Sequence, residues 1–285
     1  MSRQSHIANI DYDLLVKEDR VHGRAYTDPL IYEEELNNIF HRGWVYVGHA
    51  SEIPHSGDFR LRRMGQQTVI MVRDDDEQVQ LFMNRCPHRA NAVCQVERGN
   101  TKAFRCAYHG WSFATTGELK GLPYHDRYPA SFRKEDSGLR KVPRMETYRG
   151  FVFGSLSPVG ISLDDHLGPR VKEQIDLFVD LSPEGELEVT AGVHKYGYRA
   201  NWKFQIENSM DGYHPNFVHQ TFFTNIQHRT GRKLTDLFTS GSSAQTRDFG
   251  NGHVMLDLRP YNKEKSPIWR AINPDVRQKE PYLDA

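Results

Sequence analysis

Two short runs bring metal-binding side chains together at close spacing. The first is Cys86-Pro87-His88-Arg89, and the second is Cys106-Ala107-Tyr108-His109-Gly110-Trp111. The pattern is Cys-x-His, seventeen residues, then Cys-x2-His. Thiolate and imidazole together suit zinc or an iron–sulfur cluster. With one residue between them, a cysteine and a histidine on one loop tip reach two different metal atoms. Two sulfide-bridged irons would take the cysteines on one iron and the histidines on the other, and imidazole in place of thiolate raises such a cluster's reduction potential. A structural zinc ion with the same four ligands is one alternative, although zinc sites usually space paired ligands by two or more residues. Ordinary core residues of a β domain are another. The third cysteine, Cys94, has no partner at ligand spacing and reads as a small buried apolar side chain.

A later run, from Glu207 to His219, contains Asp211-x2-His214-x4-His219. On a helix Asp211 and His214 share a face, and His219 lies off it. Pro215 disfavours helical geometry at His214, so a break there would turn both imidazoles toward one point. Two histidines and a carboxylate form the facial ligand set of non-haem Fe(II) oxygenases, with positions left open for O₂. Surface or otherwise satisfied polar residues are the competing reading of this run.

The elements that must position these groups are legible in part. Helical spacing is expected over 29–41, with Asp28 as cap and Pro29 at the first position. From Trp44 to about Pro158 short β-rich runs replace it. They are 44–47, 67–72, 79–83, 103–106, 111–114 and 150–156, a small antiparallel domain. The acidic run at 73–77 reads as a solvated hairpin turn. Helical periodicity returns over 163–181, followed by a strand over 187–198 and a helix over 201–210. The stretch from about Thr224 onward is poorly patterned.

Composition excludes several classes. Lys plus Arg and Asp plus Glu each total 37 in 285 residues, so no global field argues for nucleic acid or an anionic membrane. Charged residues at 26% and apolar residues at 38% describe an ordinary globular chain, neither disordered nor fibrous. No run approaches the length of a membrane span, and the first twenty residues hold no apolar signal core. Three cysteines make no disulfide framework, and a cytoplasmic location is expected.

The two Cys/His runs together resemble the Rieske domain of aromatic-ring-hydroxylating oxygenases, in their large (alpha) subunit. The segment Asp211–His219 resembles the mononuclear iron motif of the same family. The likeness runs from about Tyr26 to about Phe223. It implies an α+β fold, with a small antiparallel β Rieske domain and an α+β, helix-grip-like catalytic domain of which only the N-terminal part is present. The implied divisions are an arm and helix at 1–41 packing with the catalytic domain, a Rieske domain at 42–158 and a catalytic domain at 159–285. The resemblance further implies that Cys86 and Cys106 bind one iron of a [2Fe–2S] cluster and His88 and His109 the other, with Trp111 packed nearby. His214 and His219 would ligate a mononuclear Fe(II). Asp211 would be no ligand but the acid linking His214 to a Rieske histidine, matching His109, of a neighbouring subunit. Asn208 sits where the family often has an asparagine near the iron.

The family's third iron ligand is a carboxylate far downstream. None of Asp236, Asp248, Asp257, Glu264, Asp275, Glu280 and Asp284 matches its context. The chain is therefore expected to be the N-terminal two-thirds or so of an alpha subunit, as a fragment or a short natural form. The expected function is a terminal oxygenase component that hydroxylates or dihydroxylates an aromatic substrate with O₂. Its partners would be a reductase or ferredoxin as electron donor and further subunits, as a homotrimer or with a beta subunit. An electron-transfer remnant and a Rieske monooxygenase or demethylase are the rival readings. Phe204, Met210, Phe217, Phe222 and Phe223 are read as core before pocket lining, and Arg229 and Arg232 as surface before substrate clamps.

Overall fold

The computed structural model describes residues 10–190, 194, 196–231 and 245–257, apart from the side chain of Asn216. The N-terminal arm carries three short helices, α1 (Tyr12–Leu15), α2 (Arg24–Thr27) and α3 (Pro29–Glu35). Asp28 caps α3, its side chain accepting from Leu30 N at 3.0 Å, and Pro29 fills the first turn. Both positions are those the sequence predicts. The helix continues to Phe40 as one π turn, Leu36–Phe40, and buries Ile31 and Leu36.

Ten strands follow: β1 (Val45–His49), β2 (Asp58–Met64), β3 (Gln67–Arg73), β4 (Val79–Met83), β5 (Arg98–Asn100), β6 (Ala103–Arg105), β7 (Ser112–Ala114), β8 (Leu119–Gly121), β9 (Arg144–Tyr148) and β10 (Phe151–Ser155). They pair antiparallel as three sheets, in the orders β4-β3-β2-β5, β1-β10-β9 and β6-β7-β8. Strand β3 explains the architecture. Its successive side chains point to opposite faces, and both faces are buried. Ile70 and Val72 join a core with Phe59, Phe82, Phe104, Trp111 and Phe113, while Val69 and Met71 join a second core with Val47, Ile53, Met64 and Val152. Cys86, Cys94 and Cys106 lie in the first core.

The hairpin between β3 and β4 exposes Asp75, Asp76 and Glu77, as expected of a solvated turn at 73–77, and departs from it only at Asp74. Asp74 is 2% exposed, and its carboxylate accepts from Asp76 N, Gln78 N and Gln80 Nε2 at 2.8–3.0 Å. Those donors replace water, which is what allows the charge to be buried. A second buried polar side chain, Asn84, bridges the chain on either side of the first Cys/His run. Its Nδ2 donates to Cys94 O at 2.7 Å, and its Oδ1 accepts from Val93 N and Cys94 N.

The chain divides into two compact units, Met1–Leu163 with Leu187–Lys195, and Asp164–Glu186 with Tyr196–Ala285. The second unit contains most of α4 (Leu163–Val179), then α5 (Lys203–Met210), α6 (Pro215–Val218), α7 (Gln220–Thr230) and a hairpin of β11 (Gln245–Gly250) and β12 (His253–Asp257). The helix expected over 163–181 is interrupted at Gly168, which has φ 64° and ψ 171° and precedes Pro169. The hairpin lies in the stretch read as poorly patterned. Its turn is Gly250-Asn251-Gly252, with all three residues at positive φ. Asn251 Nδ2 fastens the turn to Asp165 O and His166 O, and the His166 and His253 rings meet with centroids 4.6 Å apart.

The strand expected over 187–198 does not form among its described residues. Val189 N donates instead to Ser51 Oγ at 3.1 Å, so it contributes nothing to a ladder. Residues 191–193 and 195 of that stretch lie outside the described set.

Candidate metal centres

The two Cys/His runs fold into loops with one backbone pattern. In the first, Cys86 N donates to Asn91 O at 2.8 Å and Ala90 N donates to Cys86 O at 2.8 Å. In the second, Cys106 N donates to Trp111 O at 2.8 Å and Gly110 N to Cys106 O at 2.9 Å. The fourth residue after each cysteine is left-handed, Ala90 at φ 58° and Gly110 at φ 74°. Each loop therefore turns its backbone back on itself and lifts a histidine at its tip. The cysteines point inward and are at most 2% exposed, whereas His88 and His109 lie half-buried at the rim. The two imidazole centroids are 4.5 Å apart. Trp111 stacks on His88 at 4.8 Å with an interplanar angle of 6°, and its Nε1 donates to Tyr128 Oη at 3.2 Å. That contact fixes the plane of the His88 ring.

The electrostatics distinguish the two sulfurs. Burial pushes the Cys86 thiol above its ordinary 9.0, and the nearby Cys106 raises it further, against the backbone N–H groups of His88 and Arg89. Burial also acts upward on Cys106, but donors outweigh it and hold this thiol below 9.0. They are the N–H groups of Tyr108 and His109, Cys86 and the Asn91 amide. A sulfur ringed by donors is suited to carry negative charge. Burial, followed by the His109 and Arg89 charges, also keeps His88 below 6.5, which favours the neutral ring that a metal ligand needs.

His88 Nδ1 and His109 Nδ1 are both buried without a hydrogen-bond partner. A buried nitrogen left unpaired costs roughly 1–3 kcal/mol, and a metal atom would supply the missing partner. Among the described residues, no three His, Cys, Asp or Glu side chains close on a point that would hold one ion. Two thiols in the core and two imidazoles at the rim suit a two-iron cluster.

The second run places its residues differently from the expectation. His214 is helical, at φ −62° and ψ −29°, despite preceding a proline. Pro215 takes the first position of α6, where its missing N–H is not needed. The break falls three residues earlier, at Asp211, which ends α5 with an extended backbone at φ −90° and ψ 105°. Asp211 Oδ1 accepts from Tyr213 N at 2.7 Å and His214 N at 3.3 Å, and Oδ2 lies 3.1 Å from His214 Nδ1. The Tyr213 N–H, followed by the backbone and ring of His214, holds this carboxyl below its ordinary 3.8. A carboxylate on Nδ1 fixes the tautomer and leaves Nε2 free as a ligand. The His219 ring lies 5.3 Å from that of His214.

Apart from Asp211 on His214 Nδ1, no carboxylate closes with His214 and His219 on one point among the described residues. Asp248 accepts from Gly250 N, and Asp257 is buried in an ion pair with Arg247. Asp236, Glu264, Asp275, Glu280 and Asp284 lie outside the described residues. The core reading of the aromatic side chains does not hold for Phe204, Phe217 and Phe222, which are 48%, 65% and 58% exposed. Met210 and Phe223 are half-buried, and Asn208 and Arg229 are exposed. Arg232 lies outside the described set. Sequence reading missed Asn84 and Asn91, which pin and cross the two loops. A polar residue two positions before Cys86 was the available signal for Asn84.

A family profile described as the Rieske [2Fe–2S] domain matches residues 43–146, and one for the ring-hydroxylating alpha subunit catalytic domain matches 186–281. The chain belongs to the ring-hydroxylating oxygenase alpha subunits. Toluate 1,2-dioxygenase subunit alpha of Pseudomonas putida is 36% identical, over 94% of this chain and 62% of its own length. The anthranilate 1,2-dioxygenase large subunit of Acinetobacter baylyi is also 36% identical, over 91% of this chain and 58% of its own. Naphthalene 1,2-dioxygenase from Rhodococcus sp., solved bound to indole, superposes with a TM-score of 0.66 at 37% identity, over 69% of this chain and 45% of that one. The chain thus spans roughly half to three-fifths of the relatives it matches. Alpha subunits of this family carry a [2Fe–2S] cluster in the Rieske domain and use a mononuclear iron in the catalytic domain. No described helix is long and apolar enough to cross a membrane.

Proposed function

We propose that this alpha-subunit chain serves as the terminal oxygenase component of an aromatic-ring-hydroxylating system, with cluster and iron sites in 42–158 and 159–285. The observation that carries the reading is the matched pair of loops, presenting two buried thiols and two unpaired imidazole nitrogens. Cys86 and Cys106 would hold one cluster iron, and His88 and His109 the other. His214 and His219 would hold the mononuclear Fe(II). When bound, the cluster supplies single electrons and the mononuclear iron supplies O₂ activation.

The chain's own residues have definable tasks. Trp111 fixes the His88 ring, and the Cys106 donors stabilise charge on sulfur. Asp211 keeps a proton on His214 Nδ1, and its Oδ2 has a further lone pair for a second imidazole. We assign that second imidazole to His109 of another copy, which supports a homotrimer, with or without a beta subunit. A cavity of about 720 Å³ beside the first loop is lined by Arg85, Arg89 and Arg140 with His41, a surface that suits an acidic reductase or ferredoxin. Aromatic acids are the proposed substrates, by likeness to the toluate and anthranilate enzymes, and the cytoplasm is the proposed location.

Anaerobic iron and sulfide analysis with EPR of the reduced chain tests the reading. Cluster iron, labile sulfide and a Rieske signal, with one further iron per chain, are expected, followed by dihydroxylated product from toluate when donor and companion subunits are added. Zinc without sulfide would overturn it.

A further inference from the structure

Asn91 stands on the first loop and reaches into the second. Its Nδ2 lies 2.9 Å from Ala92 O and 3.7 Å from Cys106 Sγ. A carboxamide nitrogen carries two hydrogens, so one serves the carbonyl and the other is left for the sulfur. The left-handed turn at Ala90 brings the Asn91 carbonyl back onto Cys86 N while the side chain projects across to the partner loop. The corresponding residue of the second loop, Trp111, does not return the favour, because its N–H is spent on Tyr128. Cys106 therefore has a side-chain donor in addition to the backbone N–H groups of Tyr108 and His109.

Reduction adds one negative charge to a cluster and its ligands. A donor aimed at a ligand sulfur interacts more strongly with that more negative state, and such hydrogen bonds are among the determinants of cluster potential. We propose that Asn91 raises the reduction potential of the cluster by donating a hydrogen bond to Cys106 Sγ. Asn91 is a positioning residue in this account, acting through Cys106 and not on substrate. The inference rests on Cys106 being a cluster ligand.

The experiment uses the full chain loaded with its cluster. The couple is one electron passing from a reduced mediator dye to the oxidised cluster, the dye losing that electron, with no bond made or broken. Asn91→Leu removes both donors at similar volume. Its equilibrium constant for reduction is expected to fall about tenfold, about 59 mV for one electron, with sulfide content and EPR signal retained. Asn91→Asp, which keeps the shape without a donor, is expected to fall at least as far. If leucine prevents loading, Asn91→Ala is measured in its place with the same expectation. A loop that is merely loosened would lose cluster without shifting its potential. An equilibrium constant within twofold of the parent's at full cluster content overturns the proposal. A parent chain that takes up no cluster overturns the ligand assignment beneath it, and is recognised because no couple is then seen in any variant.

Discussion

Asn84 holds the first loop from behind. Truncation to alanine would leave Val93 N, Cys94 N and Cys94 O buried without partners, at about 1–3 kcal/mol for each such group. Relaxation will recover part of that, so Asn84→Ala is expected to destabilise by about 3 kcal/mol, read as a shift in the denaturation midpoint. Asp211 makes the opposite kind of contribution. Asp211→Asn keeps the shape, and both metals are expected to remain bound, while the carboxylate on His214 Nδ1 is lost and turnover falls at least tenfold. Unchanged product formation with full metal content would remove Asp211 from the electron path. At this scale the ligand candidates were legible because Cys-x-His and Cys-x2-His are rare spacings. Asn84 and Asn91 were not, because an asparagine's importance lies in which backbone it meets, and no local pattern records that.

The elements were legible where one periodicity dominated. Within the run 67–72, Val69–Val72 is apolar throughout, and it is this part of the strand that is buried on both faces. Asp28-Pro29 announced its helix start. The hairpin β11–β12 was missed although Asn251-Gly252 is a strong turn signal, because its flanks, Thr-Arg-Asp-Phe-Gly and His-Val-Met-Leu-Asp, carry little alternation. Gly117 marks a position where an element tolerates no side chain. It is left-handed at φ +92°, and a Cβ there would drive into the Phe82 ring. Gly117→Ala is expected to cost roughly 2–5 kcal/mol from the backbone and overpacking together, measured by thermal melting. The contact of α4 with the hairpin carries a pH dependence. Burial, followed by the neighbouring His253, keeps His166 below its ordinary 6.5. Below about pH 6.5 the unfolded chain then binds more protons than the folded one. Stability is thus expected to be flat above that pH and to fall as pH drops toward the lower folded value. Arg170, over Phe249, is the cation on the same contact, and Asp165 meets the turn through its carbonyl. Urea midpoints at pH 8 and pH 5 should differ less in His166→Gln than in the parent.

For the whole molecule, zero net charge directs attention from global steering to local surfaces such as the arginine-lined cavity. The proposed assembly makes a mixing experiment informative. A Cys106→Ser chain lacks a cluster but keeps Asp211, and an Asp211→Asn chain has the reverse defect. Each alone is expected to be inactive. Co-assembled with the same companion subunits, they should recover a measurable fraction of parent turnover, because the electron crosses between copies. Recovery no greater than background would place the whole path within one chain. Domain order and family were legible from the motifs. The proposed pairing of one copy's acid with another's imidazole rests on the family resemblance alone, since spacing along one chain says nothing about its neighbours.

The loops' backbone closure bears on the order in which the protein is assembled. Cys86 N to Asn91 O and Cys106 N to Trp111 O are bonds between main-chain atoms, braced by packed aromatic side chains, and none draws on a ligand. Small zinc modules remain unfolded until metal arrives. Here the loop closures themselves use no ligand atom. The cofactor-free chain is expected to retain its β-sheet circular dichroism, and iron–sulfur delivery should proceed as an insertion into a folded receiver.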